Sequence, residues 1–124
     1  MAHILLADDD ESFRRMLRLT LVRLGHTVDE AKDGAQAWTK FQTQPVDLVI
    51  MDLIMPEKEG LETIRQFRKN RVAVKILAIS GGGRIDARDM LTVARQFGAD
   101  AALAKPFSNE ELAQALKLLL PATS

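Results

Sequence analysis

Along this chain, short apolar runs alternate with longer stretches in which apolar residues recur every three or four positions. The runs are His3–Ala7, Thr27–Ala31, Val46–Met51, Val74–Ile79 and Ala101–Ala104. Each has the length of a strand, and the run within VDLVIMD is apolar enough to be buried on both faces, as in a parallel sheet. Between them, Phe13, Met16, Leu17, Thr20, Leu21 and Leu24 form the inner stripe of a first helix that Gly25 stops, with Arg14, Arg15, Arg18 and Arg23 as its solvated face. Ala37, Trp38 and Phe41 mark a second helix, opened by a capping box from Asp33 to Gln36. Leu61, Ile64 and Phe67 mark a third, from Glu59 to about Lys69. The fourth runs from Asp86 to Phe97 and ends at Gly98. The fifth opens with a Ser108–Glu111 capping box, closed by a Phe107–Leu112 hydrophobic staple, and ends near Leu120. Strict strand–helix alternation of this kind predicts an α/β fold: a doubly wound, five-stranded parallel sheet with helices on both faces.

Polar chemistry collects where the strands end. The first strand runs into Asp8 and Asp9, the third into Asp52, the fourth into Ser80 and the fifth into Lys105, whereas the second meets only Lys32 and Asp33, as an outer strand would. Open parallel sheets bind ligands at this edge, at the switch point in strand order. Three converging carboxylates repel one another; two charges about 4 Å apart cost roughly 4 kcal/mol at an effective dielectric of about 20. A cation relieves that, and oxygen ligands without His or Cys select a hard one, Mg²⁺ or Mn²⁺. With Lys105 and Ser80 as donors to phosphoryl oxygens, a carboxylate such as Asp52 can itself accept a phosphoryl group.

The totals narrow the class. At 124 residues the chain fits one domain, 1–124 with its core in 3–120, and 47% hydrophobic against 27% charged residues describes a globular one. Zero formal net charge provides no field for nucleic acid or acidic membranes, and the absence of cysteine removes disulfides, thiolate ligands and thiol nucleophiles. No apolar stretch reaches the ~20 residues of a membrane span, and MAHILLADDD meets acid too early for a signal peptide, so a cytoplasmic location is expected.

ILLADDD (Ile4–Asp10), DLVIMDLIMPEKEG (Asp47–Gly60), ILAIS (Ile76–Ser80) and AKPF (Ala104–Phe107), in this order and spacing, resemble the receiver domain of two-component response regulators, in its stand-alone, chemotaxis-regulator-like form. The resemblance covers residues 3 to about 120 and implies a flavodoxin-like (βα)5 fold with strand order 2-1-3-4-5. It implies Asp52 as phosphoacceptor, Mg²⁺ held by Asp8, Asp9, Asp52 and the backbone carbonyl of Ile54, Ser80 as the switch hydroxyl, and Lys105 paired with a phosphoryl oxygen beside a cis Lys105–Pro106 bond. The donor it implies is a histidine kinase or phosphotransfer protein, with the domain catalysing its own phosphorylation and slow dephosphorylation without being a conventional enzyme. Its usual output surface, the fourth helix, fifth strand and fifth helix, includes Arg88, Arg95 and Lys117 here. The expected output is a contact with a downstream protein, with homodimerisation on activation as a further option.

The chain departs from the family at Ala102, where a Tyr or Phe often stands, and it has no tyrosine, which excludes aromatic gating at that position. Signalling is then expected to rest on Ser80 and the Gly81–Gly83 loop. Neither Ile54 nor Gly82 can orient a hydrolytic water, so a long-lived phosphoryl state is expected. Other functions fit less well. An aspartate phosphatase wants a second acid where Ile54 stands, a flavin phosphate would be repelled by Asp8–Asp10, and a dinucleotide fold needs a glycine-rich turn after strand one. Gly81–Gly83 lacks the Lys-Ser/Thr of a phosphate-binding loop. The alternative of another class is a receiver-like scaffold that works without phosphorylation; such a module has no physical need for Asp8, Asp9, Asp52, Ser80 and Lys105 together. His3 and His26 read as edge or surface residues.

Overall fold

A computed structural model describes residues 2–53, 59–70, 72–81 and 87–120. Five strands, β1 (His3–Ala7), β2 (Thr27–Ala31), β3 (Leu48–Asp52), β4 (Lys75–Gly81) and β5 (Ala101–Lys105), alternate with α1 (Glu11–Arg23), α2 (Gly34–Thr43), α3 (Glu59–Lys69), α4 (Ala87–Phe97) and α5 (Asn109–Leu119). The strands are all parallel and lie in the order β2-β1-β3-β4-β5, the expected flavodoxin-like arrangement, with β1 and β3 adjacent across the switch point. Three strands outrun their apolar runs. Asp52, Ser80, Gly81 and Lys105 are paired strand residues, because the register sets Asp52 against Ile79, Ser80 against Ala104, and Gly81 against Lys105.

Alternation along the strands divides the interior in two. Leu5, Ala7, Val49, Met51, Ile76 and Ala78 face α2, α3 and α4, packing with Ala37, Ile64, Phe67 and Ala94. Trp38 belongs here as expected, edge-on to Phe67 with ring centroids 5.1 Å apart. Ile4, Leu6, Leu48, Ile50, Leu77 and Ile79 face α1 and α5, packing with Leu17, Leu21, Leu112 and Leu116. Phe107 joins the same cluster as Leu112, and the Ser108–Glu111 capping box is complete. At α2, Asp33 caps the Gln36 N–H as expected, while the Gln36 side chain accepts from the Lys32 N–H, one residue before the N-cap.

α1 differs from its expected face. Only Phe13, Leu17 and Leu21, spaced by four, reach the α1–α5 core, whereas Met16 (59% exposed) and Leu24 (49%) do not. One ridge of side chains suffices for a helix laid on a sheet. The neighbouring ridge, with Met16 and Thr20, overhangs a groove of about 540 Å³ between α1 and the start of α5. Nor is Arg14 solvated like its fellow arginines. It turns inward, with Nε donating to Glu30 Oε1 (2.8 Å) and Nη1 to the Asp8 carbonyl (2.7 Å). His3 and His26 are both part-buried and tie strand starts together: His3 meets Thr27 Oγ1 (2.8 Å) and Asp29 Oδ2 (2.9 Å), and His26 Nδ1 accepts from the Ala2 N–H (3.2 Å).

Candidate phosphoryl and metal site

β1 and β3 end side by side, β5 ends at the same sheet edge on the far side of β4, and the last polar side chains of all three are in one phase. Asp8 follows Leu6, Asp52 follows Ile50 and Lys105 follows Leu103, so strand alternation sends all three to the α1–α5 face. Asp8 is 1% exposed and Asp52 4%, burial that a carboxylate tolerates only with partners. Lys105 Nζ provides one, 2.9 Å from Asp8 Oδ2 and 3.7 Å from Asp52 Oδ2. Asp8 Oδ1 accepts from the Asp10 N–H (2.8 Å). Asp9, on the loop, is exposed, yet Asp8, Asp9 and Asp52 each offer a carboxylate oxygen within 4.8 Å of the others. This is the expected acidic set, brought together by the strand order.

The donor set suits a hard divalent ion. It is all oxygen, and the three carboxylates already offer oxygens within 4.8 Å of one another, close enough for side-chain adjustment to bring them onto one small cation. The fourth expected ligand, Ile54, lies outside the described residues, as do Gly82, Gly83 and the Arg88 side chain. Ser80 is buried at the same edge, but it is in phase with Ile76 and Ala78 and so belongs to the α2–α4 side of β4. Ala102 packs against that same core, Arg95 and Lys117 are exposed, and the Lys105–Pro106 peptide is cis.

Four residues that shape the site had no assigned role in it. Asp10, the third acid of the run, is the N-cap of α1, its side chain accepting from the Phe13 N–H. Arg14 fastens the backbone of Asp8 to β2 through Glu30. Gly60 lets α3 start against the carbonyl of Asp52, where a Cβ would lie 1.8 Å from that oxygen. Phe13 lies under Lys105, with Nζ 3.8 Å from the ring centroid. The Asp10 cap was open to sequence reasoning, since an acid three residues before a helical stripe is a cap signal; the other three contacts depend on distant segments.

Comparisons agree with the geometry. The family model described as the response regulator receiver domain matches residues 4–117. The chain is 35% identical over 117 residues to the transcriptional regulatory protein QseB of Haemophilus influenzae, covering 94% of this chain and 52% of that protein. It is 32% identical to the alkaline phosphatase synthesis transcriptional regulatory protein PhoP of Bacillus subtilis, covering 94% and 48%. The chain thus spans about half the length of the curated relatives it matches. Among solved structures, chemotaxis protein CheY4 of Vibrio cholerae superposes with a TM-score of 0.84 at 31% identity, covering 97% of this chain and 99% of that one. The receiver domain of Francisella response regulator 1452 gives 0.86 at 25% identity, covering 96% of each.

Proposed function

This chain belongs to the response regulator receiver domain family of two-component phosphorelay signalling, and from that footing we propose that Asp52 accepts a phosphoryl group from a phosphohistidine on a histidine kinase or phosphotransfer protein. One observation supports the assignment above the rest: a buried carboxylate ends the central strand with two further carboxylates beside it and the Lys105 ammonium 3.7 Å away.

In the transfer, an Asp52 carboxylate oxygen attacks phosphorus and the P–N bond to the donor imidazole breaks, its electron pair leaving with the nitrogen. The product is an acyl phosphate. Lys105, shared between Asp8 and Asp52 beforehand, turns its ammonium to a phosphoryl oxygen. Ser80 donates its hydroxyl to another from the opposite side of the sheet edge. Asp8, Asp9 and Asp52, with the Ile54 carbonyl as the expected fourth ligand, would hold Mg²⁺, which when bound would supply the positive charge that lets anionic donor and acceptor meet. In hydrolysis a water oxygen attacks phosphorus and the P–O bond to Asp52 breaks, giving inorganic phosphate and the free carboxylate. The self-catalysed steps make the domain a switch rather than a conventional enzyme. Its output is carried by a protein contact on α4, β5 and α5, where Arg95 and Lys117 are exposed. Among the described residues no helix is long and apolar enough to cross a membrane.

Incubation with acetyl phosphate and Mg²⁺, read by intact mass, tests this. The expected result is a gain of one phosphoryl group that is absent in Asp52→Asn and blocked by a chelator. A gain that persists in the variant would move the acceptor elsewhere, and no gain at all would favour the phosphorylation-independent scaffold.

A further inference from the structure

The Lys105 ammonium has a third neighbour besides Asp8 and Asp52. Its Nζ lies 3.8 Å from the centroid of Phe13, and that ring meets Phe107 edge-on, with centroids 6.0 Å apart and planes at 86°. Phe13 is on α1 and Phe107 directly follows Pro106 after β5, so two segments about ninety residues apart close an aromatic corner around one charge. Only 19% of the Lys105 side chain remains exposed.

We propose that Phe13 is a positioning residue for phosphoryl transfer: its ring face, braced by Phe107, holds the Lys105 ammonium where the phosphoryl group arrives. This rests on the assignment of Asp52 and Lys105 above. A lysine is a point charge on a flexible four-carbon stem, free to take many rotamers. Its two anionic neighbours cannot fix it through the reaction, because Asp8 and Asp52 also belong to the cation set and Asp52 is the group being modified. The ring face attracts the ammonium through its quadrupole, takes no part in metal binding and does not change on phosphorylation. It also shields that side of the ammonium from water.

The rate of phosphorylation by acetyl phosphate should fall roughly threefold to thirtyfold in Phe13→Leu, which keeps the apolar volume but removes the π face. Phe13→Trp should recover the rate. In a Lys105→Gln background, Phe13→Leu should cause no further loss, because the ring then has no charge to hold. Independently of phosphorylation, ¹H NMR of the metal-free wild-type protein should show the Lys105 ε-methylene protons shifted upfield by the ring current relative to other lysines, with the shift abolished in Phe13→Leu. A Phe13→Leu rate equal to wild type, an equal loss in the Lys105→Gln background, or Lys105 protons without the ring-current shift would overturn the proposal. Failure of the wild type to take up phosphoryl would instead overturn the receiver reading, and the functional role of Phe13 with it, while the NMR shift would still report the contact itself.

Discussion

Gly60 stands where a side chain cannot. With a Cβ placed 1.8 Å from the Asp52 carbonyl oxygen and 3.0 Å from Leu53 Cα, either α3 or the end of β3 must move. Gly60→Ala should therefore cost about 3 kcal/mol in urea unfolding, at the upper end of overpacking penalties, and slow phosphorylation of Asp52 as well. A variant as stable and as fast as wild type would mean that the two backbones are not held so close. At the other end of the sheet, burial lowers the pKa of His26 below its usual 6.5. The unfolded state then takes up the proton more readily, so this contribution to stability is full above about pH 6.5 and is lost as pH falls below it. Protonation also removes the Nδ1 lone pair that accepts from Ala2. Wild type should lose more unfolding free energy between about pH 7.5 and pH 5.5 than His26→Gln; equal losses would discard the assignment. Asp52 is legible in the sequence because a carboxylate interrupts a buried run. Phe13 and Arg14 are not, because their partners Lys105 and Glu30 are brought to them only by the folded sheet.

At the scale of elements, Arg68 ties three segments at the far side of the site. Its guanidinium donates to the carbonyls of Val72, Val74 and Gly98 and to Asp100 Oδ2 (2.9 Å), and that carboxylate oxygen also accepts from the Ile76 N–H (2.8 Å). α3 is thereby fixed to the entries of β4 and β5. Arg68→Ala leaves these carbonyls to find water or go unpaired, and should lower stability by about 2–3 kcal/mol, with hydrogen exchange speeding up first around β4 and β5. Exchange that rises uniformly would refute a local tie. Helix positions were readable to within a residue or so, because caps such as Ser108 and stops such as Gly98 are local signals. One strand end was not: hydropathy ends β4 at Ile79, but pairing with β5 carries it to Gly81. Nor could periodicity tell which ridge of α1 lies on the sheet, since the 13/17/21 and 16/20/24 rows are both largely apolar.

At the scale of the molecule, the acidic edge makes stability and ligand binding one quantity. A cation that binds only the folded chain should stabilise it by about 2.7 kcal/mol at a concentration 100 times its dissociation constant. Thermal unfolding with Mg²⁺ against chelator should show that shift in wild type and a much smaller one in Asp52→Asn; an undiminished shift would place the ion away from Asp8, Asp9 and Asp52. The alternating pattern made the layered architecture, with helices on both faces, legible, and the strand order followed from the resemblance, whereas the assignment of individual residues to one half of the interior or the other emerged only from the folded sheet. That division has a mechanical meaning. Asp8, Asp52 and Lys105 are rooted in the half beneath α1 and α5, and Ser80 in the half beneath α2, α3 and α4. The sheet acts as a partition wall, and a phosphoryl group drawing on donors from both rooms would work as a bolt through it. Thrown, it locks the two halves in one relative position; withdrawn, it leaves each to settle by its own packing.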